Sequence, residues 1–96
     1  LNKYFRALAA ASPRVKVFSG GMSDEGREML VVAIADDTTI TKLDDYRAKI
    51  ARLADPRGLD SATRAQLIHE AKPIYWLTGT IHAPETGSPE MLMELA

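Results

Sequence analysis

Apolar side chains at Leu1, Tyr4, Phe5, Leu8 and Ala9 recur at i, i+3, i+4, i+7 and i+8, which is one face of an amphipathic helix. Ser12–Pro13 closes it, because the residue before a proline avoids the helical region. The pattern then changes period. Arg14–Phe18 alternates, with Val15 and Val17 on one side, and predicts a short strand. Ser19–Arg27, with three glycines, predicts a hairpin connection. Met29–Ala35 is apolar throughout, so the expectation is a strand buried on both faces and a sheet covered by helices.

Ala35–Ile40 is turn-like in composition. Thr41-Lys42-Leu43-Asp44 fits a helix-capping pattern, since a threonine side chain can bond the free amides of the first turn and an acid suits its positive end. The helix predicted there carries Leu43, Tyr46, Ile50, Leu53 and Ala54 on one stripe and stops at Asp55–Pro56. A second helix is predicted over Asp60–Lys72, stopped by Pro73. Ile74–Ile81 is rich in β-branched and aromatic residues and predicts a third strand. Ser88–Pro89–Glu90 predicts one more helix, with serine at the N-cap, proline at the first helical position and an acid in the first turn.

The predicted order is α-β-β-α-α-β-α. It gives an α/β architecture in which an antiparallel hairpin feeds a helical crossover into a third strand. Three strands leave open apolar edges. The chain also opens on Leu1 and closes within the apolar run Met91–Ala96. Residues 1–96 are therefore expected to be part of a single larger domain, with its remaining strands outside this chain.

Bulk composition narrows the chemistry. The net charge is −1 and no basic block occurs, which speaks against a nucleic-acid or anionic-membrane surface. Nothing approaches the roughly 18 consecutive apolar residues of a membrane span. Cysteine is absent, which removes disulfides, thiolate metal sites and cysteine nucleophiles together.

Three polar patterns invite a chemical reading. Gly21-x-x-x-x-Gly26 has the glycine spacing of a phosphate loop, but Arg27 and Glu28 stand where lysine and serine or threonine are required. Asp24 and Glu25 inside the loop would repel a phosphate. The expectation is a hairpin turn whose glycines take positive φ. His69–Glu70 starts an H-E-x-x-H pattern, yet Pro73 occupies the place of the second histidine, so His69 is read as a helix-surface or partly buried residue. His82-Ala83-Pro84-Glu85 differs. It follows the end of a predicted strand, where open α/β sheets bind ligands. A nitrogen and a carboxylate three residues apart can share one metal ion with bonds of about 2.0–2.2 Å. A solvated loop whose histidine ends a strand explains the same residues equally well.

Two separated segments resemble the zinc metallocarboxypeptidases, the carboxypeptidase A-like group. Gly21, Ser23, Glu25, Gly26 and Arg27, followed by the apolar run Met29–Ile34, resemble that family's early hairpin. Ile74–Glu85 resembles its strand leading into H-x-x-E. The resemblance implies a partial α/β/α sandwich around a mixed sheet, with residues 1–96 as the N-terminal part of one catalytic domain. It further implies Zn2+ as cofactor, His82 and Glu85 as two of three metal ligands, and hydrolysis of the C-terminal bond of a peptide or protein substrate. The third ligand, a histidine, and the general base, a glutamate, would lie downstream, so no catalytic residue is assigned within these 96. The family setting favours a secreted or periplasmic protein. Pro84 stands where many members carry a substrate-binding arginine, so that contact is not assigned. Glu25 and Arg27 are expected to pair locally in a structural role. The rival expectation is a metallocarboxypeptidase-like module without catalysis, binding peptides or a partner protein.

Overall fold

The computed structural model describes all 96 residues. The elements in chain order are α1 (Asn2–Ala11), β1 (Val15–Met22), β2 (Glu28–Ile34), α2 (Asp37–Thr41), α3 (Leu43–Ala54), α4 (Ser61–Glu70) and α5 (Gly87–Leu95). The chain thus mixes helices with a β-hairpin, as the patterning predicts. It forms two compact units. One is Leu1–Ile40 together with Leu77–Ala96, and the other is Thr41–Trp76.

In the first unit, β1 and β2 pair antiparallel from Val15↔Ile34 to Met22↔Glu28. The register slips by one residue between Ser19 and Met22, which is a bulge on β1. Gly21 lies in that bulge with φ 102°, a conformation a side chain would oppose. The connection is closed by Ser23, whose amide donates to the Arg27 carbonyl at 2.8 Å. Gly26 takes φ 71° there. Glu25 and Arg27 pair at 2.7 Å. The glycine-spaced loop is thus a hairpin turn with a local ion pair, as its composition implies.

Helix α1 lies against β1. Phe5 from α1 and Val15 from β1 are the two buried hydrophobic residues, at 6% and 8% exposure. Phe5 also meets the edge of Tyr4, with ring centroids 5.3 Å apart. The Asn2 amide donates to the Glu28 carbonyl at 2.9 Å, and Arg6 reaches the Glu28 carboxylate at 2.6 Å. The Tyr4 hydroxyl donates to the Met93 carbonyl on α5 at 2.8 Å. Together these polar contacts fix α1 over the hairpin and against the last helix. Strand β2 differs from expectation. Leu30–Ala33 are only half-buried and Met29 and Ile34 are exposed, because no second layer of helices covers its other face.

The second unit is a helix pair. Leu43, Tyr46, Ile50 and Leu53 form the half-buried stripe of α3, as their spacing predicts. Lys49 on the same helix bridges Asp45 at 3.0 Å and Glu70 on α4 at 2.9 Å. The Lys49 and Lys72 ammonium groups both sit over the Tyr46 ring, at 5.6 and 5.5 Å.

Helix starts differ in detail from the sequence reading. The Asp36 carboxylate accepts from the Thr39 amide at 2.8 Å and from its hydroxyl at 2.7 Å. That cap starts the short α2 where a turn was expected. Lys42, not Thr41, stands at the N-cap of α3, and no side chain caps it. Helix α5 starts at Gly87 behind Thr86, so Ser88 and Pro89 fall inside its first turn.

The start of α4 is as predicted. The Asp60 carboxylate accepts from the Thr63 amide at 2.8 Å. That bond, followed by the one from the Thr63 hydroxyl, holds the Asp60 acid below its ordinary pKa. A lowered folded pKa means the cap is fully present above the ordinary aspartate value and is lost as pH falls through the lowered one. In Asp60→Ala, amide hydrogen exchange at Thr63 is expected to speed up at neutral pH. Asp60→Asn, which keeps an acceptor, should stay close to wild type. The Ala variant and wild type should converge in acid; equal Thr63 exchange at neutral pH would remove the cap from the account.

The run Ile74–Ile81 stays outside the sheet, which consists of β1 and β2 alone. Its residues have strand composition, but a strand exists only through hydrogen bonds to a neighbour, and this run pairs with neither. Ile74, Tyr75, Trp76 and Ile81 are exposed at 67%, 87%, 67% and 85%.

Candidate metal centre

The loop between Gly79 and α5 gathers the residues singled out by spacing. The His82 carbonyl accepts from the Glu85 amide at 3.1 Å, so His82–Glu85 is a closed turn and brings the two side chains to one side. Pro84 lies within it, and its fixed φ removes freedom that the unbound loop would otherwise have to lose on ordering.

The two side chains meet. His82 Nδ1 lies 2.9 Å from Glu85 Oε1. A carboxylate only accepts, so the imidazole proton sits on Nδ1 in this arrangement. The other oxygen, Oε2, accepts from the backbone amides of Ile81 at 3.0 Å and His82 at 3.2 Å. The carboxylate is therefore held at one oxygen by main chain and presents the other to the imidazole. Both side chains remain open to solvent, at 73% and 45% exposure. Donation from His82, then from the amides of Ile81 and His82, holds the Glu85 acid below its ordinary pKa. Glu85 is thus an anion at neutral pH, as a metal ligand must be.

The separation of these two donors is compatible with two corners of a zinc site. Adjacent donors of a tetrahedral site with bonds of about 2.0–2.1 Å lie about 3.3 Å apart. The observed 2.9 Å needs a widening of only a few tenths of an ångström once the shared proton leaves. No third His, Cys, Asp or Glu is grouped with the pair. His69, the other histidine, is exposed on α4 in the Thr41–Trp76 unit. No helix is long and apolar enough to cross a membrane.

Two features of the site carry no sequence signature. The amides of Ile81 and His82 act through the backbone, which spacing does not reveal. Thr80 adopts φ 69° and bonds the Glu85 carbonyl, although its composition places it in a strand.

The model of the zinc carboxypeptidase family matches the chain over residues 1–96. No curated protein and no solved structure matches it.

Proposed function

This chain belongs to the zinc carboxypeptidase family, and on that premise we propose that the intact protein hydrolyses the C-terminal peptide bond of peptide or protein substrates, with His82 and Glu85 as two of the three ligands of a zinc ion. The observation that carries the reading is the approach of His82 Nδ1 to Glu85 Oε1 on a closed turn, with the second carboxylate oxygen held by two backbone amides. Zinc held there supplies Lewis acidity, which polarises a peptide carbonyl and acidifies water near neutral pH. The role of His82 and Glu85 is to hold and orient the metal. Proton transfer falls to a glutamate, and the third ligand is a histidine, both outside residues 1–96. In this reading the chain is the N-terminal part of one catalytic domain.

The test is made on the intact protein. Zinc per chain is measured by atomic absorption, and release of the terminal amino acid is followed on an N-blocked peptide. Stoichiometric zinc with terminal release is the expected result. Zinc and peptide binding without release would assign the protein to a non-catalytic peptide-binding module instead. Absence of both zinc and release would remove the proposal altogether.

A further inference from the structure

Thr80 is the sole non-glycine residue with positive φ, at 69°. A β-branched side chain crowds the backbone there, and such conformations persist only where the surroundings hold them. Two contacts do so. The Thr80 hydroxyl donates to the Glu85 carbonyl at 2.9 Å. The preceding Gly79 is pressed against α5, so closely that a Cβ on it would lie 2.6 Å from Leu92 Cδ1 and 3.3 Å from the Ser88 carbonyl oxygen. Gly79 is thus seated on α5, and Thr80, the residue before the bend at Ile81 and His82, is tied across the loop to Glu85.

The geometry of that tie is specific. Glu85 receives three hydrogen bonds from the residues Thr80, Ile81 and His82. Thr80 fixes its main-chain carbonyl, and the amides of Ile81 and His82 fix Oε2. Those two amides belong to the bend at Ile81 and His82 that follows directly on Thr80. Oε1 alone is left facing the imidazole. We propose that Thr80 is a positioning residue for the His82–Glu85 metal pair, its hydroxyl holding the loop in the conformation that presents both donors to zinc. The inference rests on the reading of His82 and Glu85 as zinc ligands.

The test uses the intact protein stripped of metal, with zinc affinity measured by competition against a chromophoric chelator and thermal unfolding of the metal-free protein followed in parallel. Thr80→Val keeps the shape and removes the hydroxyl; it should weaken zinc binding about tenfold, as loss of an outer-shell hydrogen bond commonly does. Thr80→Ser restores the hydroxyl and should bind within about twofold of wild type. Thr80→Gly takes the positive φ without steric cost and also lacks the hydroxyl, so it gives the same reading should the valine variant fail to fold. A merely structural role would lower the unfolding temperature of the metal-free variants and leave zinc affinity unchanged. That result, or a serine variant as weak as valine, overturns the role of Thr80 while the ligands stand. Failure of the wild-type protein itself to take up zinc removes the ligand reading, and this inference with it.

Discussion

His82→Ala in the intact protein is expected to lose bound zinc and terminal peptide hydrolysis together, with the metal-free fold unchanged. The expectation follows from where the imidazole sits. It is 73% exposed and its ring bonds only Glu85 within the loop, so its removal leaves no cavity and no buried partner stranded. Under the proposed ligand assignment, what it removes is one of three protein bonds to the metal. Outer-shell changes already weaken metal sites by about 10–100-fold, and loss of a direct ligand should exceed that. Glu85→Ala should behave alike, with some added loosening of the loop because the amides of Ile81 and His82 lose their acceptor. Glu85→Gln separates the two effects. Its amide oxygen can still accept from those N–H groups, but the negative charge is gone. It should keep the loop and hold zinc poorly. Zinc stoichiometry measured alongside thermal unfolding decides the matter, and full zinc in both alanine variants would falsify the ligand assignment.

Phe5→Ala should produce the largest loss of stability among side-chain truncations in the first unit. Phe5 and Val15 are the only buried hydrophobic residues, and the Phe5 ring joins α1 to the hairpin side. Truncating a buried phenylalanine typically costs about 3–5 kcal/mol, and the lower figure applies where the surroundings can collapse into the gap. The thin layer around Phe5 favours about 3 kcal/mol, which is a large share of a typical folding free energy of about 5–15 kcal/mol. Tyr4, exposed at 41%, provides the comparison. Tyr4→Phe removes only the hydroxyl bond to Met93 and should cost much less. Denaturant unfolding of the intact protein measures both, and a Phe5 variant no less stable than the Tyr4 variant would place the core elsewhere.

The legible parts of the fold are those decided by short-range physics. Helix α1 follows from the i, i+3, i+4 stripe at Tyr4, Phe5 and Leu8, and α4 from the run Asp60–Lys72 and the stop at Pro73. The hairpin follows from alternation at Val15 and Val17 and from glycines at Gly21 and Gly26. Where two local signals compete, sequence alone chooses poorly. Thr41-x-x-Asp44 reads as the cap of α3, but α3 starts behind Lys42 with no side-chain cap, and it is Asp36 that caps the separate helix α2 through Thr39. The burial of β2 on both faces and the third strand at Ile74–Ile81 were inferred from composition, yet both depend on neighbours that composition does not specify. The site divides in the same way. His82 and Glu85 are visible as a spacing and sharpened by resemblance. Thr80 is invisible, because a positive φ at threonine runs against its own propensity and is imposed by contacts with Glu85 and by the seat of Gly79 on α5.

The unpaired run Ile74–Ile81 bears on how the protein is made. Between Lys72 and His82 there is no charged residue, and five of the exposed side chains are large and apolar or aromatic. Such a segment, outside any sheet ladder, can template cross-strand pairing between copies. Lys72 and Pro73, at its entrance, are residues that interrupt such pairing from one side. From the other side nothing interrupts it until the His82–Glu85 turn. The turn that brings His82 and Glu85 together therefore also ends this apolar stretch, so that loss of the loop's conformation is expected to lower solubility as well.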